Sequence, residues 1–130
     1  MHRNPTRPMS PHLTIWKWGP HMLVSILHRM TGAGLATVGA AAFVWWLVAL
    51  ASGPDAYATF VFWATHWTGI AIAVGLTWAF WQHTLTGLRH LVLDIGAGYE
   101  LSTNKFWAMM TLVGSVALTA LSWAFIAGIF

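Results

Sequence analysis

The chain has 130 residues, of which 58% are hydrophobic and 7% charged, and its six basic and three acidic side chains give a net charge of +3. With a mean hydropathy of +0.65 it has too little polar surface to coat a water-soluble globule, which makes it a membrane protein. Nearly all the basic residues lie outside the longest apolar runs, which argues against nucleic acid as a partner; with no cysteine, the chain forms neither a disulfide nor a cysteine-ligated iron–sulfur cluster or zinc site.

Residues 1–21 read as a cytoplasmic or interfacial segment, rich in proline and basic at Arg3, Arg7 and Lys17. Trp16 and Trp18 beside Lys17 suit the headgroup layer. The basic part leads into prolines rather than a short apolar core with a cleavage site, so it is not a secretory signal. It also lacks the long amphipathic Arg/Ser run of a transit peptide, which favours a bacterial source. The rest, 22–130, is expected to be one all-α transmembrane domain of three helices at about 22–51, 57–94 and 105–129.

The first helix is uncharged from Met30 to Ala51, enough for the ~20 residues that cross a hydrocarbon core of about 30 Å. Ser25, His28 and Arg29 fall on its first turns, where long side chains reach headgroups or a wet cavity. Ser52-Gly53-Pro54-Asp55 reads as a turn. Phe60 to Gln82 reads as the second span, continuing through His83 to about Asp94, with Gly96-Ala97-Gly98 as its stop. After Ser102-Thr103-Asn104 comes the third span, Phe106 to Phe130, with Ala120, Ala124 and Gly128 as a small-residue packing row. The basic residues gather at the amino terminus, the start of helix one and the loop between helices two and three, while the other side carries only Asp55. That asymmetry places the amino terminus in the cytoplasm and, after three crossings, the carboxyl terminus in the periplasm.

Chemistry concentrates in the second helix. His83, Gly87, His90 and Asp94 recur at intervals of four, three and four, which puts them on one face. Ala71, Gly75 and Ala79 continue the row backwards as a groove that a flat cofactor or a neighbouring helix can approach closely. His83 lies six residues before Arg89, about 9 Å deeper at 1.5 Å per residue. A neutral imidazole in a hydrocarbon layer is a strong axial ligand for haem iron. A serine hydroxyl and a guanidinium at the membrane edge can donate to an oxygen that gains negative charge on reduction, as in a quinone. On residue types alone, alternatives stay open. His83 also reads as an interfacial structural histidine, Arg29 and Arg89 as headgroup anchors, and Asp94 as a partner for a histidine or Arg89. His2, His12, His21 and His66 stand at or beyond membrane edges and read as structural, and the ten tryptophans as interfacial or packing residues.

Three motifs in order carry a resemblance: Arg7-Pro8-Met9-Ser10-Pro11-His12-Leu13, then Ser25-Ile26-Leu27-His28-Arg29-Met30-Thr31-Gly32, then His83-x3-Gly87-Leu88-Arg89-His90-Leu91-x2-Asp94. With the length and three-helix topology, they resemble the cytochrome b membrane-anchor subunits of succinate dehydrogenase, respiratory complex II. The departures are small: Met9 where leucine is usual, and Trp16 where a tyrosine is common. The resemblance implies that His83 is one axial ligand of haem b, the second coming from a second small membrane-anchor subunit in a shared helix bundle. It implies that Ser25 and Arg29 line the ubiquinone pocket and that His28 and Arg29 lie near the haem propionates. His90 would sit in propionate or quinone surroundings, not on the iron. The family oxidises succinate at FAD in a flavoprotein subunit and passes electrons through the clusters of an iron–sulfur subunit to quinone, in the bacterial inner membrane. This chain alone would not oxidise succinate, and whole complexes could associate further as trimers. A haem-free structural anchor, the related anchor of a quinol:fumarate reductase, and a small transporter with an Arg29–His83–Asp94 path are the rival readings. The transporter is disfavoured because no internal repeat or broken helix is apparent in the sequence.

Overall fold

The computed structural model describes residues 17–128, and these are all-helical. The first motif, with Arg7, Met9 and His12, lies outside the described residues, as do His2, Arg3, Trp16 and the final two positions. Helix α1, Pro20–Gly34, runs through one π turn, Leu35–Gly39, into α2, Ala40–Ser52. Gly34 and Gly39 at the two junctions keep right-handed helical angles, so the segments form one rod of 33 residues. At 1.5 Å per residue that is about 50 Å, well beyond the ~30 Å of a hydrocarbon core. The first turns, carrying Ser25, His28 and Arg29, therefore have length to spare at a membrane edge. Gly53 ends the rod at φ 106°, a conformation strained for other residues, and Pro54 opens α3, Pro54–Thr65, where its missing N–H loses nothing.

The sequence suggests one continuous helix over 57–94, but the chain breaks at His66. Its backbone is extended, at φ −65° and ψ 153°, and α4, Trp67–Asp94, leaves α3 at a bend of 74°. The His66 ring caps the new helix: Nδ1 accepts from the Thr68 amide at 3.5 Å and lies 2.9 Å from the Thr68 hydroxyl. Gly69 makes the elbow sterically feasible, because a Cβ there would collide with the Trp63 carbonyl oxygen. Gly96 and Gly98, at φ 85° and 76°, close the far end of α4 as the sequence suggests. The last helix, α5, Leu101–Ile126, starts four residues before the expected 105. Asn104 N–H donates to Glu100 O at 2.8 Å, which draws Ser102, Thr103 and Asn104 into the first turn.

The α1–α2 rod and α5 are each long and apolar enough to cross a membrane, and α3 with α4 supplies a third crossing if the bent pair counts as one. Helix α4 is the hub, packing most extensively on α5 and then on α1, while α2 and α3 pack on each other. The buried set is inverted relative to a soluble core. Among the described residues Thr31, Gln82, Thr86, Thr111, Ser115 and Thr119 are buried, against the apolar Val24, Ala49 and Ala108. Large apolar side chains such as Phe43, Phe62, Phe80 and Phe125 face outward. This is what lipid favours: hydrocarbon competes for leucine as well as protein does, and small hydroxyl residues let helices approach and bond. The buried row on α5 is accordingly Ala108, Thr111, Ser115 and Thr119. The Ala120, Ala124, Gly128 row picked out by residue size is half-buried only at Ala124 and exposed at its ends.

Candidate functional site

At one end of the bundle three histidines from two helices converge. The His28 ring of α1 stacks on the His83 ring of α4, with centroids 4.0 Å apart and planes within 6°. His90, two turns further along α4, lies 5.1 Å from His28 at a tilt of 59°. The close approach depends on Gly32, where a Cβ would stand 2.9 Å from His83 Cε1, tighter than real contacts allow; at Gly87 a Cβ would meet His28 at an ordinary 3.8 Å.

The tautomer of His83 follows from its partners. Nδ1 lies 3.1 Å from His28 O and 3.3 Å from Thr31 Oγ1. A carbonyl only accepts, so Nδ1 carries the hydrogen and Nε2 keeps its lone pair. The buried Thr31 hydroxyl in turn donates to Leu27 O at 2.7 Å, with His28 O at 3.1 Å. Metal-ligating histidines are commonly held in this way, the non-ligating nitrogen tied to a carbonyl. Stacking by His28 engages the face of the ring and leaves the lone pair in its plane. His28 has its own Nδ1 buried without a hydrogen-bond partner, an arrangement that disfavours an isolated folded chain and favours one completed by something else.

The other expected residues are placed less tightly. Ser25 is half-buried and, three residues before His28, lies on the same face of α1. Arg29 is exposed, turned away from the ring stack by one helical step. The Arg89 guanidinium donates to Asn104 Oδ1 of α5, with its Nε buried and unpartnered, rather than turning to Asp94. It lines a mostly apolar cavity of about 400 Å³ between α4 and α5, together with Leu85, Trp107 and Met110 and without any histidine. Gly75 on the small-residue row of α4 has nothing within 4 Å of where a Cβ would be, so the groove is open. Among the described residues no group of three or more histidine, cysteine, aspartate or glutamate side chains is set to hold a metal ion. His83 therefore offers one ligand, which fits one axial position of a haem and no self-sufficient metal centre. Motif reading did not foresee the roles of Thr31 and Gly32. Their spacing from His28 was a usable signal, since i+3 and i+4 neighbours share its face.

These features define an all-helical membrane protein with an imidazole prepared for an electrophile at one end of its bundle. Its family is shown by comparison: the model for the succinate dehydrogenase/fumarate reductase transmembrane subunit matches residues 3–122, and the chain belongs to that family. It is 38% identical over 116 residues to the succinate dehydrogenase cytochrome b556 subunit of Paracoccus denitrificans, covering 89% of this chain and 88% of that one. It is 37% identical over 118 residues to the subunit of the same name from Rickettsia conorii, covering 90% of each. With the mitochondrial succinate dehydrogenase cytochrome b560 subunit of Sus scrofa the identity is 30%, over 88% of this chain and 71% of that one.

Proposed function

We propose that this chain is the cytochrome b membrane anchor of a succinate:quinone oxidoreductase and that His83 supplies one axial ligand to haem b through Nε2. The observation that carries this reading is the 3.1 Å contact of His83 Nδ1 with His28 O, which assigns the hydrogen to Nδ1 and the lone pair to Nε2, in a chain whose relatives are named cytochrome b subunits. Haem supplies one-electron chemistry where it is bound. With one imidazole placed for the iron and no cysteine in the chain, the other ligand would come from a second anchor subunit, and succinate oxidation and electron delivery from flavoprotein and iron–sulfur subunits. His28 and Arg29 would meet the propionates. For His28 the unpartnered Nδ1 supports this, and for Arg29 its exposed position at the membrane edge. His90, tilted against His28, would lie in the same surroundings without touching iron.

Ser25 and Arg29 would bind ubiquinone: the hydroxyl and the guanidinium donate to a carbonyl oxygen as it becomes negative, stabilising charge where water is scarce. The chain would cross the bacterial inner membrane three times, as the α1–α2 rod, as the bent pair of α3 and α4 and as α5, after a cytoplasmic or interfacial segment at 1–21. The basic residues at the α1 and α4–α5 ends support a cytoplasmic amino terminus and periplasmic carboxyl terminus. Because the matching family description covers fumarate reductase as well, the anchor of a quinol:fumarate reductase is the second reading, separated from the first by the direction of turnover.

The decisive test is a reduced-minus-oxidised spectrum of the purified complex. A b-type band lost in His83→Ala is the expected result. Full retention of the band would show that His83 does not ligate the haem, and absence of the band from the wild type would leave a haem-free structural anchor.

A further inference from the structure

The largest fully buried side chain among the described residues is neither a histidine nor an arginine but Gln82. Gln82, Thr86 and Ser115 each have no exposed surface. Ser115 Oγ–H of α5 donates to Gln82 Oε1 at 2.7 Å, with Leu112 O also within reach at 2.9 Å, and Gln82 Nε2 donates to Thr86 Oγ1 at 3.0 Å. A glutamine fully inside a membrane helix pair is costly unless every such bond is made. The next residue along α4 is His83, about 100° further round the helix at 3.6 residues per turn. Gln82 thus faces α5 while His83 faces α1, where its Nδ1 meets His28 O.

We propose that Gln82 is a positioning residue: its clamp to Ser115 fixes the rotation of α4 about its own axis and so aims the His83 imidazole. This rests on the haem-ligand reading of His83. The physical reason lies in the solvent. In water the hydrophobic effect sets which face of a helix is buried, but in a bilayer apolar faces are nearly indifferent to whether lipid or protein covers them. Rotation must be specified by something lipid cannot replace, and a buried amide meets that need. Side-chain tips lie about 5–6 Å from a helix axis, so a turn of ~20° moves an imidazole by about 2 Å. That is enough to break the 3.1 Å bond to His28 O and to carry Nε2 away from a ligand position. The Trp81 indole, which donates to Ser122 Oγ at 3.1 Å, also crosses to α5, but both partners are only half-buried and can exchange that bond more readily.

The test uses the whole complex with Gln82→Leu, Ser115→Ala and Gln82→Glu. A buried glutamic acid stays neutral and can still accept from Ser115 and donate to Thr86, so it serves as the rescue. One readout is the low-spin haem signal, its g-values and midpoint potential. A second needs no haem. The chain has no cysteine, and a Cβ on Gly39 would lie 3.7 Å from Leu76 Cδ2, so Gly39→Cys with Leu76→Cys reports the α4 face through thiol cross-linking in membranes from haem-deficient cells. Gln82→Leu should lower the cross-linking yield several-fold and shift the haem signal. Ser115→Ala should do the same to a smaller degree, and Gln82→Glu should restore both. Wild-type cross-linking and haem signal in Gln82→Leu overturns the proposal. If Gln82→Leu does not assemble, Ser115→Ala with wild-type values in both readouts overturns it equally. A b-type band that survives His83→Ala sinks the haem assignment alone, and the cross-linking still decides the rotation.

Discussion

Helix α4 has two seams, and they are finished to different degrees. On the α5 side polar groups meet partners across the seam: Gln82 with Ser115, Trp81 with Ser122, Thr77 with Trp123 and Arg89 with Asn104. On the α1 side the rings of His28 and His83 stack with one nitrogen bonded at 3.1 Å and another, His28 Nδ1, buried without a partner. Arg89 Nε is also buried without a partner on the α5 side, but there it lies beside a mostly apolar cavity, whereas on the α1 side the stranded nitrogen sits against a ring that has a lone pair to offer. Under the proposed haem reading, the contrast separates what this chain completes alone from what it would leave for a prosthetic group and a second subunit.

The sharpest way to break the comparison is to overfill the unfinished seam. Gly32→Leu places a branched side chain where even a Cβ would stand 2.9 Å from the His83 ring. Overpacking of this kind typically costs about 1–3 kcal/mol, and here the strain falls on the His83 ring. The expected outcome is a complex that retains its subunits but loses most of its haem absorbance. Haem content equal to wild type would show that the ring stack is not the ligand's position. Next in size is Arg29→Leu. A hydrogen bond from a charged group is worth roughly 1.5–3 kcal/mol, so quinone reduction should fall about tenfold or more while electron transfer from succinate to an artificial acceptor persists. Ser25→Ala should follow with a several-fold loss. Equal loss of both activities in either variant would instead mark failed assembly. Gly75→Leu comes after these, because its open groove lies on the same row as His83. A moderate fall in haem content is expected, and unchanged Soret absorbance would mean that lipid alone fills the groove.

Much of the unfinished seam was legible in the sequence. The spacing of His83, Gly87 and His90 put them on one face, whereas the stack of His28 on His83 needs coordinates. The stop at Gly96 and Gly98 was legible because left-handed glycines leave a compositional mark. The break at His66 was marked only by Thr65-His66-Trp67-Thr68-Gly69, a short dip in the apolar run that residue type alone does not distinguish from a membrane edge. What bends the chain is a local capping bond to Thr68 and the clearance at Gly69, neither of which hydropathy records. The finished seam was the least legible. Gln82 and Ser115 are 33 residues apart, and pairing them requires the register of two helices that the sequence specifies only once both are packed. The small-residue rule pointed to Ala120, Ala124 and Gly128 because it ranks by size alone. The buried row won with Ser115 and two threonines, because hydroxyls add bonds at nearly the same width.

The smallest expected effect tests whether the two seams are independent. Ser122→Ala removes the acceptor of the Trp81 indole at 3.1 Å, on the finished side and away from the ring stack. Hydrogen bonds between membrane helices average roughly 0.6 kcal/mol, and the half-buried indole can find another acceptor near the membrane surface. Thermal stability of the complex in detergent should therefore drop slightly, with haem content, haem potential and quinone reduction unchanged. If this variant shifted the haem potential as far as a change at Gln82, the seam would be acting as one undivided ladder, and the special standing of the buried amide would be lost. An unchanged potential with a small loss of stability confines control of the imidazole to the buried Gln82–Ser115 clamp, and leaves the half-buried bonds of that seam to set only how tightly α4 and α5 hold.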